Sequence, residues 1–194
     1  MRLTTTTIVT VDGVMQGLGG PDEDRRGGFE RGGWVAPLFD NEAMTFLNQI
    51  YQRADAFLFG RRTYDMFESF WPHARSAGAM AEWINATPKI VFSRTRKAVT
   101  WSGSRLAGEL DRRTVEALKR EPGDDLIVFG SGAIVTQLTA LGLVDEYQLI
   151  VSPLFVGRGR QMLGGLEAVT PLELLEARRT AVGNVLLRYA RAAR

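Results

Sequence analysis

The chain contains no cysteine and only one histidine, His73, among its 194 residues. Without cysteine there are no disulfides, no thiol nucleophiles and no thiolate metal ligands. A single histidine excludes the usual multi-histidine zinc sites and argues against a Ser-His-Asp triad. The sequence therefore predicts a site without a metal ion and without a cysteine nucleophile.

Long apolar runs and blocks of like charge are also missing. No stretch approaches the ~20 apolar residues of a membrane span, and the start MRLTTTTIVTVDG lacks the apolar core of a signal peptide. The 24 Lys and Arg residues nearly balance the 22 Asp and Glu residues. No basic block is interleaved with aromatic residues, as nucleic-acid binding would favour. We therefore expect a cytoplasmic protein that acts on a small molecule, with no nucleic-acid or membrane partner.

Strand-like and helix-like segments alternate along the chain, which predicts one α/β domain over residues 1–194. Predicted strands cover residues 3–11, 56–59, 89–92, 99–101, 126–129, 146–151, 172–180 and 185–189. Predicted helices cover residues 40–54, 79–86 and 111–120, with two more that follow residues 60 and 132. The glycine-rich segment 13–37 is long for a connection, which is typical of a lid, a binding loop or a disordered segment.

Three of the predicted strands end in short segments suited to phosphate. These segments are Gly60-Arg61-Arg62-Thr63, Ser93-Arg94 and Gly130-Ser131-Gly132. The first and third join glycine to a helix N-terminus, where backbone N–H groups and the helix dipole favour an anion. In open α/β sheets, ligands bind at the carboxyl ends of the strands. No carboxylate follows directly, and arginine suits a ribose 2′-phosphate, so the pattern predicts NADP rather than NAD.

The order of these motifs resembles the dihydrofolate reductase superfamily, in particular the reductase domain of bacterial riboflavin biosynthesis (the RibD C-terminal domain). The resemblance rests on GRRTYDMF at 60–67, IVFSR at 90–94, VFGSGAI at 128–134 and LVDEYQLIVSPLFVGRGR at 143–160. It extends over nearly the whole chain and implies a small stand-alone member. The implied fold has three layers, α/β/α, with a mixed, mostly parallel central sheet and a C-terminal antiparallel hairpin.

The resemblance also implies which residues would bind NADPH. Around the pyrophosphate, the adenosine phosphate and the 2′-phosphate these are Gly60, Arg61, Arg62, Thr63, Ser93 and Arg94. Around the pyrophosphate, the nicotinamide and its ribose they are Val14, with its neighbours Val11, Asp12 and Gly13, and Gly130, Ser131, Gly132 and Ile134. The family usually has two glycines where this chain has Gly130-Ser131.

Candidate catalytic and substrate residues are Trp34, Asp40 and Glu42. Dihydrofolate reductases place a carboxylate early on the first helix to polarise the pterin, a role that Asp40 or Glu42 would match by resemblance. Asp40 also suits a helix N-cap. Trp34 would either stack on a planar heterocycle or anchor its loop in the core.

The resemblance implies an NADPH-dependent reductase that transfers hydride to a small heterocyclic substrate. The nearest family activity is 5-amino-6-(5-phosphoribosylamino)uracil reduction. This chain lacks the cysteine and histidine ligands of the zinc deaminase domain that accompanies the reductase in the full riboflavin enzyme. Alternatives are a dihydrofolate or pterin reductase and a non-catalytic nucleotide-binding dimer on the same fold. Apolar residues of the closing hairpin predict a homodimer.

Overall fold

The computed structural model describes residues 1–74 and 78–192, which contain eight strands in one sheet and five α-helices. The strands are β1 (Arg2–Thr10), β2 (Ala54–Gly60), β3 (Lys89–Phe92), β4 (Ser104–Gly108), β5 (Asp125–Phe129), β6 (Glu146–Ser152), β7 (Leu172–Arg179) and β8 (Val185–Arg191). The helices are α1 (Asn41–Tyr51), α2 (Arg61–Phe70), α3 (Gly78–Ala86), α4 (Arg112–Arg120) and α5 (Gly132–Ala140). None of these described helices is long and apolar enough to cross a membrane.

The sheet has the order β4-β3-β2-β5-β1-β6-β8-β7. Every neighbouring pair is parallel except β6–β8 and β7–β8, which are antiparallel. The prediction of a mostly parallel sheet closed by an antiparallel hairpin is confirmed. The first strand of the chain lies in the middle, and its Thr, Ile and Val side chains suit a strand that is buried on both faces.

Helices cover both faces of this sheet and give the three-layer α/β/α arrangement. On one face, α1 contributes Phe46 and Ile50 to a core that includes Phe57 and Phe59 of β2. On the other face, the buried residues of α4 and α5 pack on the alternate side chains of the same strands, such as Leu58. Successive residues of β2 thus face opposite layers, as the period of a strand requires.

One predicted strand is wrong. The segment 99–101 forms no strand, and the edge strand β4 instead covers Ser104–Gly108. Trp101 is buried, with its backbone N–H donated to the hydroxyl of Tyr64 at 3.0 Å, so its apolar character serves packing on α2. β4 is polar and partly exposed, which gives it no alternating apolar pattern to detect.

Candidate active site

The strand register brings the three phosphate-suited segments to one edge of the sheet. β2 lies between β3 and β5, with Gly60 paired to Phe92 and Leu58 paired to Val128. The segments 61–63, 93–94 and 130–132 therefore leave the sheet side by side. Such an edge, at the carboxyl ends of parallel strands, is where α/β proteins bind their ligands.

A hydrogen bond joins the starts of α2 and α5. The backbone N–H of Gly60 donates to Ser131 Oγ at 2.9 Å, and neither helix has a side chain capping its first turn. Ser131 adopts left-handed backbone angles (φ 53°, ψ 54°) directly after Gly130, at φ 69°. Because of this turn, the serine hydroxyl bonds to the neighbouring segment instead of its own helix. Two uncapped helix N-termini thus lie together, and both attract an anion.

Close packing fixes the two turns against each other. A Cβ atom on Gly60 would lie 3.1 Å from Ile134 Cγ1, so α5 leaves little room for any other residue there. A Cβ atom on Gly130 would lie 3.3 Å from Thr63 Cγ2. Ile134 is 7% exposed. Thr63 and Ile134 therefore shape the edge by packing.

The guanidinium groups of Arg62 and Arg94 are exposed and form no ion pair with any residue in 1–74 or 78–192. Arg61 differs, because its Nη1 binds Asp65 Oδ2 at 2.7 Å within α2. Ser93 turns its hydroxyl inward, where it accepts backbone N–H groups of the following turn. Arg62 and Arg94 are thus the two cations of this edge that remain open to a phosphate.

Glu68 of α2 forms hydrogen bonds with the segment that follows Arg94. It accepts hydrogen bonds from the Tyr64 hydroxyl at 2.8 Å, from Arg96 Nη2 at 2.9 Å and from the Thr100 hydroxyl. Burial raises the pKa of Glu68, but these hydrogen bonds outweigh it and bring the pKa to about 2. A wide surface depression of about 560 Å³ opens beside Glu68. Since Glu68 is already bonded to its own chain, we assign this cluster a structural role.

Segment 13–37 folds over the sheet edge around Gln16, which is 3% exposed. Gln16 Nε2 donates to the carbonyls of Asp24 and Arg26 at 3.1 and 2.9 Å, and its Oε1 accepts from Arg160 N–H at 2.9 Å. Trp34 is buried, and its indole N–H donates to the Gln16 carbonyl at 2.9 Å. These contacts fit the interpretation of Trp34 as a loop anchor. Sequence reasoning missed Gln16, which lies in no recognisable motif.

Asp12 fastens the turn after β1 to the loop after β6. Its carboxylate accepts from the Thr10 hydroxyl and from the backbone N–H groups of Val156 and Gly157, at 3.2 and 2.6 Å. The hydrogen bond from Thr10 is the main reason that the pKa of Asp12 lies below its ordinary value. Asp12 therefore holds the turn after β1 against the loop after β6.

The residues around Asp12 differ in exposure. Val14 is fully buried, whereas Val11 is 54% exposed. Met15 lies over the start of α5, since a Cβ atom on Gly132 would be 2.6 Å from its Sδ. A flexible thioether thus rests on the glycine turn.

The two candidate acids bind the turn between β7 and β8. Asp40 caps α1 by accepting from Ala43 N–H at 2.8 Å, as the N-cap interpretation predicts, and also accepts from Val182 N–H at 3.4 Å. Glu42 Oε2 accepts from Ala181 N–H at 2.7 Å. Burial raises the pKa of Asp40, but the hydrogen bond from Ala43 and others outweigh it, so the net pKa is lowered. Both acids lie at the same edge of the sheet as the three phosphate-suited segments, and both are hydrogen-bonded to their own chain.

Two buried polar side chains lie beside this turn. Ser152 and Asn184 are 0% and 1% exposed, and the neighbouring pair Val151–Val185 sets them next to each other. Among the described residues, Ser152 Oγ and Asn184 Oδ1 have no hydrogen-bond partner. Most buried polar side-chain atoms in folded proteins have a hydrogen-bond partner. No local sequence pattern points to either residue.

A comparison of this chain with known protein families agrees with the fold described above. The family model of the RibD C-terminal domain matches residues 2–186. The chain belongs to the RibD C-terminal domain family. YyaP of Bacillus subtilis (strain 168), a protein described as uncharacterized, is 27% identical to this RibD C-terminal domain over 191 residues. The match covers 97% of this chain and 94% of YyaP.

Three solved structures share the fold of this RibD C-terminal domain. A protein of Shewanella sp. PV-4, assigned provisionally to riboflavin biosynthesis, has a TM-score of 0.77 at 20% identity, with both chains fully covered. The Thermotoga maritima diaminohydroxyphosphoribosylaminopyrimidine deaminase/5-amino-6-(5-phosphoribosylamino)uracil reductase has 0.63 at 14%, covering 98% of this chain and 56% of that one. Enterococcus faecalis dihydrofolate reductase, complexed with NADP(H), has 0.63 at 12%, covering 99% and 97%. At these identities the likeness establishes the fold.

Proposed function

We propose that this RibD C-terminal domain is an NADPH-dependent reductase that transfers hydride to a C=N or C=O carbon of a small heterocyclic substrate. The observation that carries the proposal is the pair of uncapped helix N-termini joined through Gly60 and Ser131. Adjacent N–H groups with no side-chain cap suit the two charges of a pyrophosphate. The solved dihydrofolate reductase of this fold, complexed with NADP(H), supports the same cofactor class.

The residues at the edge suit such a cofactor in charge. The starts of α2 and α5 would hold the pyrophosphate, and Arg62 and Arg94 would bind the 2′-phosphate that distinguishes NADPH from NADH. When bound, the cofactor supplies the hydride, and the protein orients it and excludes water. Met15 and the loop around Gln16 would close over the reacting rings.

The substrate would bind between that loop and the start of α1. The Thermotoga maritima enzyme of this fold is named for aminouracil reduction. We therefore place 5-amino-6-(5-phosphoribosylamino)uracil first among substrates to test. We further propose that the reaction takes place in the cytoplasm.

A dihydrofolate or pterin reductase is the second candidate. It would use Asp40 or Glu42 to polarise the pterin. Both carboxylates accept backbone N–H groups of this chain, so a pterin would have to compete with the β7–β8 turn. This geometry favours the aminouracil type.

The test is a thermal-shift titration with NADPH and NADH, using Arg62→Ala, Arg94→Ala and the control Arg120→Ala. Arg120 ends α4 and is exposed. Ligand at 100 times its Kd adds about 2.7 kcal/mol, which raises Tm by roughly 5–11 °C for a chain of this size. We expect NADPH to stabilise more than NADH, and the difference to shrink in the two site variants only. No shift with either cofactor would overturn the proposal.

Turnover assays then separate the reductase from a non-catalytic module. NADPH oxidation would be followed with the aminouracil, with dihydrofolate and with a panel of carbonyl compounds. Turnover with the aminouracil supports the proposal. Binding of NADPH without turnover on any of them would instead support the nucleotide-binding module.

A further inference from the structure

A cavity of about 170 Å³ lies between α1 and the amino ends of the central strands. Its lining includes Phe46 and Ile50 of α1 and the residues that begin β1 and β5, Arg2 and Asp125. Because β1 and β5 run parallel, the three phosphate-suited segments lie at the opposite edge of the sheet. We call this space the basal cavity, and it is separate from the candidate active site.

Two buried carboxylates beside the basal cavity are bound within the fold. Arg2 Nε and Nη2 donate to the two oxygens of Asp125 at 2.9 and 3.0 Å. Arg188 Nε and Nη2 donate to the two oxygens of Glu146 at 2.8 and 3.2 Å. Bidentate pairs of this kind are strong and fix both partners. Asp125 and Glu146 are therefore not open to a ligand.

Two other charged side chains that line the basal cavity keep bonding positions open. Among the described residues, the guanidinium of Arg53 has one charged neighbour, Asp125, with Nε 3.3 Å from Oδ2, so both Nη groups are free. The carboxylate of Glu176 lies 3.5 Å from Arg188 and 3.7 Å from Arg178, beyond the usual hydrogen-bond range of about 2.7–3.2 Å. One cation and one anion of the same cavity thus remain available.

The charges around the basal cavity balance. Three guanidiniums stand against three carboxylates, namely Arg2, Arg53 and Arg188 against Asp125, Glu146 and Glu176. A site without net charge does not attract anions or cations in general. A ligand with one charge would leave either Arg53 or Glu176 without a partner, whereas a zwitterion would satisfy both.

We propose that the basal cavity binds a small linear zwitterion, with its carboxylate at Arg53 and its ammonium group at Glu176. Asp125, beside Arg53, is on β5, and Glu176 is on β7, with three strands between them. The two ends of the site are therefore well separated, which favours an ω-amino acid over glycine. The buried side chains of Phe46 and Ile50 provide an apolar wall for the methylene groups. A volume below the roughly 300 Å³ of a drug-sized pocket suits a ligand of a few heavy atoms.

The test is a thermal-shift titration with 4-aminobutyrate in the absence of NADPH. The matched probes are butyrate and butylamine, which each keep one of its two charges. At ten times its Kd, 4-aminobutyrate should raise Tm by roughly 3–6 °C for a chain of this size. Both singly charged probes should bind about tenfold more weakly or worse. No shift with 4-aminobutyrate, or an equal shift with either matched probe, would overturn the proposal.

Two variants test the two ends of the site. Arg53→Gln and Glu176→Gln should each raise the Kd for 4-aminobutyrate about tenfold. Neither change leaves a buried charge unpaired, because Asp125 keeps Arg2 and Arg188 keeps Glu146. Wild-type affinity in either variant would overturn the proposal.

The control variants are Arg105→Gln and Glu121→Gln, which alter an ion pair of similar exposure beside the outer strand β4. Both should keep the wild-type affinity. A tenfold loss in these controls as well would overturn the proposal, since it would indicate a general effect of charge. The titrations contain no cofactor, so their outcome does not depend on the proposed reductase activity.

Discussion

Ser131 combines an unfavourable backbone conformation with a stabilising side-chain hydrogen bond. It occupies a left-handed backbone position that favours glycine, and its hydroxyl accepts the N–H of Gly60 across the gap between α5 and α2. The backbone conformation costs about 1–2 kcal/mol for a residue with a Cβ atom. The hydrogen bond offsets part of that cost, since it satisfies a donor that a ligand-free edge would otherwise leave to solvent.

We therefore expect Ser131→Ala to lower the free energy of unfolding by about 1–2 kcal/mol, because it loses the hydrogen bond and keeps the strain. Ser131→Gly should stay close to wild type, since relief of strain offsets the lost bond. Urea unfolding of the three proteins measures the difference. Equal stability of the alanine and glycine variants would contradict this account of the turn.

Asp40 offers a second contrast at the residue scale. As an N-cap, it should tolerate Asn well, whereas Asp40→Ala should cost about 1 kcal/mol. If its role is structural, Asp40→Asn keeps kcat/KM for the physiological substrate within a few-fold of wild type. Steady-state kinetics and urea unfolding on the same preparations check both statements. Loss of turnover in a stable Asp40→Asn protein would instead favour the pterin-type mechanism.

Between the end of α3 and the start of β3 lies a buried ammonium group. Lys89 is 0% exposed, and its Nζ donates to the carbonyls of Asn85 and Ser102 and lies 4.4 Å from the centre of the Trp101 ring. The helix C-terminus and the ring both favour the cation. Burial nevertheless lowers the pKa of Lys89 to about 8.

This lowered pKa predicts a stability change at alkaline pH. Between about pH 8 and the ordinary pKa of 10.5, the folded state holds fewer protons than the unfolded state, so the Lys89 contribution to stability rises with pH. Lys89→Met should remove that rise, and the exposed Lys97→Met should not. Unfolding free energies of the three proteins from pH 7 to 10.5 provide the measurement. Parallel curves would refute the assignment.

Glu68 gives the corresponding effect in acid. Its folded pKa of about 2 lies below the ordinary 4.5, so its stabilisation is present above pH 4.5 and is lost as pH falls toward 2. Glu68→Gln should lower the free energy of unfolding at neutral pH. Below pH 4.5 this difference from wild type should become smaller as the pH falls. Chemical unfolding of both proteins across this range is the check, with the exposed Glu109→Gln as control. A pH-independent difference would contradict it.

At the scale of helices and strands, the sequence predicts those elements that are encoded by local signals. The elements at the ligand edge follow from glycine turns and caps, such as Asp111 before α4, which act within a few residues. Asp40 and Glu42 were found as candidates, yet their partners lie about 140 residues away in the β7–β8 turn. No local pattern encodes such a pairing. β4 was missed for the related reason that its strand character comes from pairing with β3.

Across the whole molecule, cofactor binding should order this edge of the sheet and leave the outer strand β7 unchanged. We expect hydrogen exchange to slow on addition of NADPH at 61–63, 93–96, 130–135 and in the loop 13–37. Exchange in β7, the outer strand of the sheet, should be insensitive to NADPH. Mass spectrometry of exchanged peptides measures both. Protection of β7 by NADPH at constant oligomeric state would contradict this separation.

The central place of β1 has a consequence for synthesis. Its partners β5 and β6 end at residues 129 and 152, so the first strand leaves the ribosome long before either neighbour exists. At about 5–20 residues per second, the wait is roughly 7–28 s. During that time TTTTIVT is a β-prone segment without a sheet. Its run of threonine hydroxyls makes it less hydrophobic than a run of valines would be. β1 can therefore complete its pairing only after residue 152 has been made, so its folding depends on contacts that are distant in sequence.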